Sequence, residues 1–140
     1  MDAINTNTSP VTKIDGVKLT LVEDRIILME VEERFAFDIE SMNAVRKANL
    51  ELANNLPYCV VMKAELLSTF SGDVMKKSAS ESGSENRIAL AIVDNNLGMK
   101  LVANFYLRFN NPVRPTKVFK SVDKAVSWLR EMRDEFLENS

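Results

Sequence analysis

From Val17 apolar and polar residues alternate, with Val17, Leu19 and Leu21 on one face and Lys18 and Thr20 on the other. Glu23 and Asp24 interrupt the alternation before Arg25 to Val31 (RIILMEV), so the two runs predict an antiparallel hairpin. Asp38 then stands as a helix N-cap ahead of Met42, Val45, Ala48, Leu52 and Leu56, which are spaced for one helical face. Pro57 is expected to stop that helix. Tyr58 to Met62 (YCVVM) and Ile88 to Val93 (IALAIV) are short, nearly continuous apolar runs, the mark of strands covered on both faces. Between them, Ser71 or Gly72 opens a weaker helix through Val74 and Met75. Ser78 to Asn86 (SASESGSEN) reads as a helix end running into an exposed loop.

Asp94, Asn95 and Asn96 follow the second buried run and are expected to cap a helix. Its Leu97, Leu101, Phe105 and Phe109 fall on one stripe. Pro112 and Pro115 bracket a stiff connection to a short strand, Thr116 to Phe119. Ser121 caps the last helix, where Val122, Ala125, Leu129, Met132 and Phe136 give the cleanest amphipathic stripe. Leu129, Met132 and Phe136 are expected to pack on the sheet. The order β-β-α-β-α-β-α-β-α predicts one α/β domain over residues 12–140. It would hold a mixed, mostly parallel sheet of about five strands with about four helices. The polar start, MDAINTNTSP, predicts a flexible tail over residues 1–11.

Composition then narrows the chemistry. The chain has 140 residues, room for one domain and its core. The lone cysteine, Cys59, excludes an intrachain disulfide and suits a reducing, cytoplasmic setting. Histidine is absent, which removes Ser-His-Asp and Cys-His catalysis and every His-ligated metal site. A net charge of −2 gives no support to phosphate-backbone binding, so nucleic acid is not an expected partner. No run of apolar residues is long enough to insert into a membrane.

The segment from Arg87 to Leu129 resembles the C-terminal half of an uncharacterised bacterial family with a STAS-like fold. STAS is the domain shared by sulfate transporters and the anti-sigma factor antagonists of sporulation control. The residues that carry the resemblance are Asp94 after an apolar strand, Asn104-Phe105 within a helix, Asn111-Pro112, Pro115-Thr116, Phe119, Ala125 and Trp128-Leu129. The resemblance implies a STAS-like α/β topology. In the antagonists, Asp-Ser-Ser/Thr-Gly opens a helix and its first Ser is phosphorylated. Here the matching residues are Thr69-Phe70-Ser71-Gly72, with Phe70 where the phosphoacceptor would stand.

Ser71 is therefore read first as a helix cap and second as a phosphosite. If the strands are parallel, Ser71, Gly72, Asp94, Asn95 and Ser121 share one sheet edge, a candidate rim for a partner or polar ligand. Cys59, with no histidine to activate it, reads as a buried inert thiol. Arg108, Arg114, Lys117 and Lys120 read as scattered surface charge, and the charges of the last helix as a solvated face. The expected function is a non-catalytic regulatory or protein-interaction domain, with no enzyme activity and no cofactor. Its partner would be another protein, with a homodimer as one form. The alternative is a domain of the same fold that binds a small ligand, a nucleotide or a lipid.

Overall fold

A two-residue turn, Asp15-Gly16, joins the first strands, Val11–Ile14 (β1) and Val17–Glu23 (β2). Gly16 adopts φ +77°, and the Phe35 ring fills the space where a Cβ would stand. The computed structural model describes residues 9–139. Most of the tail expected over 1–11 lies outside them, and Val11 already pairs with Thr20.

Ile26–Val31 (β3) completes the expected hairpin with β2, with a register shift between Leu21 and Glu23. The chain continues through Ala36–Phe37 (β4), Ile39–Leu52 (α1), Tyr58–Ala64 (β5), Thr69–Phe70 (β6) and Gly72–Ala79 (α2). Then follow Arg87–Val93 (β7), Leu97–Phe105 (α3), Thr116–Phe119 (β8) and Val122–Glu138 (α4). A π-helical turn, Tyr106–Asn110, extends α3.

The main sheet has six strands in the order β1-β2-β3-β5-β7-β8, one more than the hairpin and apolar runs predict. β3, β5, β7 and β8 pair in parallel, and β2 runs against its two neighbours. β4 and β6 form a separate parallel ribbon. From β3 to β8 each new strand is added on the same side. Connections of one handedness then put α1, α2 and α3 on one face. There Met42, Val45, Val74, Met99 and Ala103 meet Ile27, Val60, Met62, Leu90 and Ile92. The alternate residues of the same strands, among them Ile26, Cys59, Val61 and Ala91, face α4 through Ala125, Val126 and Leu129. This is why the strands read as continuous apolar runs.

Three further sequence expectations need correction. α1 ends at Leu52, because Asn54 and Asn55 turn the chain with positive φ, so Leu56 leaves the helical stripe and is exposed. On α4, Leu129 is buried and Met132 packs at the core margin, but Phe136 is exposed near the helix end. The charged side of α4 is also only partly solvated, since Arg130 and Arg133 clasp Glu23 on β2.

Candidate functional site

Asp94 and Ser121 follow the carboxyl ends of β7 and β8, whereas Ser71 and Gly72 follow β6 of the separate ribbon. Their polar atoms are largely committed to helix ends. Ser71 Oγ accepts from the Val74 N–H at 3.1 Å, and Ser121 Oγ accepts from the Lys124 N–H at 3.3 Å. Of the three residues expected to cap α3, Asn96 does so, with its Oδ1 2.9 Å from the Met99 nitrogen. Its Nδ2 donates to the Ala64 carbonyl at 3.1 Å and ties the start of α3 to the end of β5.

Asp94 holds a different contact. Lys120 Nζ lies 3.0 Å from its Oδ1 and 3.1 Å from its Oδ2, which joins the ends of β7 and β8. Asn95 is exposed, and a side chain at Gly72 would point into open space. Asp94 and Ser121 are thus linked through Lys120, the neighbour of Ser121. Among the described residues, no hydrogen bond or ion pair joins Ser71 to Asp94. Phe70 packs on Phe37 with ring centroids 5.6 Å apart.

The strand order never reverses between β3 and β8, so this edge lacks the switch point at which open α/β sheets form a ligand crevice. The four basic residues around the prolines do not converge either. Arg114 pairs with Glu81, Lys120 with Asp94, and Lys117 lies over the Phe119 ring. Cys59 is fully buried, and burial pushes its thiol up to about 12, far from a reactive thiolate.

Two features were not singled out as sites in the sequence. The first is the outer face of α3. Met99, Ala103 and Tyr106 point into the core, which leaves Leu97, Leu101, Phe105 and Phe109 exposed by 72%, 61%, 48% and 62%. The Phe105 and Phe109 rings meet at a tilt of 42° with centroids 4.9 Å apart. Between Leu97 and Asn110 the polar side chains are Lys100, Asn104, Tyr106, Arg108 and Asn110, and none is acidic. Neither cation has an ion pair among the described residues. Leu66 and Leu67, in the turn after β5, add two exposed leucines at the same sheet edge, with Leu67 held at φ +63°.

The second is a cavity of about 100 Å³ between the sheet and α1, α2 and α3. Its walls are mainly apolar, and Arg46, Asn49, Tyr58, Ser78, Arg87 and Tyr106 are the polar exceptions. Burial pushes the Tyr58 phenol up, partly offset by the Asn49 amide and by Arg87 and Arg46. Asn49 carried a signal in the sequence: it lies four residues after Val45, on the apolar stripe of α1.

Residues 20–133 match the family model of a domain of unknown function, DUF7793. Comparison with curated proteins and with solved structures finds no match. The family model spans most of the chain, and the chain belongs to that family.

Proposed function

We propose that this member of the DUF7793 family is a non-catalytic, cytoplasmic interaction domain of STAS-like topology. Its partner is an amphipathic protein helix with acidic flanks, received on the outer face of α3. The observation that carries this reading is the solvent-facing stripe Leu97, Leu101, Phe105 and Phe109 on a helix already anchored by another face. A contiguous apolar surface of this kind costs solubility and marks a place of contact. Its spacing suits the i, i+4 anchors by which helices dock. Lys100 and Arg108 flank the stripe and no acidic residue lies between Leu97 and Asn110, so the complementary partner carries carboxylates beside its apolar residues. The absence of histidine and the buried, protonated Cys59 support a role without catalysis.

The test is a display library of amphipathic helices with acidic flanks, selected against the wild-type chain and against Leu101→Lys. Enrichment by wild type that is lost with Leu101→Lys supports the reading. Equal enrichment by both, or none, overturns it. Binding of anionic vesicles in place of peptides would assign the face to a membrane surface instead.

A further inference from the structure

The cavity lies on the sheet face opposite α4 and is independent of the α3 surface. Four methionines line it, Met29, Met42, Met62 and Met75. Methionine side chains are unbranched and adaptable, so these walls can yield to a guest more readily than branched aliphatics. The polar groups gather where β5 and β7 begin, since Tyr58 and Arg87 are the first residues of those strands and pair across them. This is the opposite edge of the sheet from Asp94 and Ser121.

That polar end is incompletely satisfied. Arg87 donates from Nη1 to Ser78 Oγ at 3.2 Å and from Nη2 to the Ser78 carbonyl at 3.0 Å. Its Nε is buried and has no partner. Asn49 is only 3% exposed, and its Oδ1 is likewise buried without a partner. A buried donor and a buried acceptor left unmade are costly and call for a ligand or water. Arg46, bonded to the Ser82 carbonyl at 2.9 Å, adds a second guanidinium. No carboxylate lines the cavity, and neither arginine has an ion pair among the described residues.

We infer that this cavity binds a small 2-hydroxy carboxylic acid with an apolar tail. The carboxylate accepts from Arg87 Nε and the Tyr58 hydroxyl, and the ligand hydroxyl donates to Asn49 Oδ1. The tail lies among the methionines and is short, roughly four carbons, given that an engineered cavity half as large again holds the six carbons of benzene.

Methyl-resolved NMR of the full chain, with labelled methionines, tests this directly. The probes are 2-hydroxyhexanoate, hexanoate and hexanol. The four lining methionines are expected to shift on titration, and Met132, on the other face of the sheet, is not. Affinity is expected to fall from the hydroxy acid to the acid, and at least tenfold from the acid to the alcohol. Arg87→Gln should erase the preference for acid over alcohol. Val45→Phe fills the cavity and should abolish all shifts while the spectrum stays dispersed. Equal binding of acid and alcohol to the wild type, no shift at the four methionines, or unaltered binding by folded Val45→Phe overturns the proposal.

Discussion

Arg133, in the last third of α4, reaches back to Glu23 at the end of β2, with its Nη1 2.9 Å from Oε2. The same nitrogen donates to the Asp24 carbonyl at 2.9 Å, and Arg130 Nη2 lies 2.6 Å from Glu23 Oε1. One carboxylate therefore fastens the β2–β3 hairpin to the helix that covers that face of the sheet. Two guanidiniums on one carboxylate make a stronger contact than an isolated surface pair.

Glu23→Gln is expected to lower stability by about 1 kcal/mol at low salt and by less at high salt. The hydrogen bond from Arg130 is the largest influence on Glu23 and holds its carboxyl below the usual 4.5. Its contribution is thus fully present above pH 4.5 and is lost as pH falls through the lowered folded value. Urea unfolding between pH 7 and about 3 should show a shallower acid decline for Glu23→Gln than for wild type. Parallel curves would contradict this.

Cys59 and Tyr58 act at the other end of the pH scale. Burial raises both, and the thiol moves from 9.0 to about 12. The folded chain therefore keeps a proton that the unfolded chain releases, so stability falls as pH rises from about 9 towards 12. A thiol reagent at pH 8 is expected to react only as the chain unfolds. Rapid labelling of the native protein would show that Cys59 is accessible.

Gly16→Ala drives a methyl group into the Phe35 ring and holds alanine at φ +77°. A loss of about 2 kcal/mol or more is expected. Thermal melting checks it, and an unchanged melting temperature would mean that the turn and Phe35 rearrange freely.

Ser71→Ala removes the oxygen that accepts from Val74 and is expected to cost about 1 kcal/mol. Ser71→Asp restores an acceptor and adds charge at the positive end of α2, so it should melt above Ser71→Ala. If the two differ in peptide binding while melting alike, Ser71 acts as a regulatory position as well as a cap.

Much of the fold was legible because each local signal had one solution. Asp38, Ser71 and Ser121 each cap the helix that the apolar spacing places after them. β5 and β7 are apolar on both faces because helices cover both. β1 was hidden by its four-residue length beside a polar tail, although Asp15-Gly16 is a strong turn pair. α3 was ambiguous for a different reason. Leu97, Leu101 and Phe105 share one helical stripe, and Met99, Ala103 and Tyr106 share another, so periodicity alone could not say which faced the sheet. The cavity depends on how Asn49, Tyr58 and Arg87 meet across three elements, and local spacing carries no record of that.

The central claim is that the stripe on α3 serves contact with a partner and not the folding of the domain. Its most direct test is the affinity of an acidic-flanked amphipathic helix, selected on the wild type, for Leu101→Lys, read by fluorescence anisotropy. Leu101 is 61% exposed, so the substitution should leave the melting temperature within a degree or two of wild type. The account predicts at least a tenfold loss of affinity from this folded variant. Equal affinity in wild type and Leu101→Lys would contradict it.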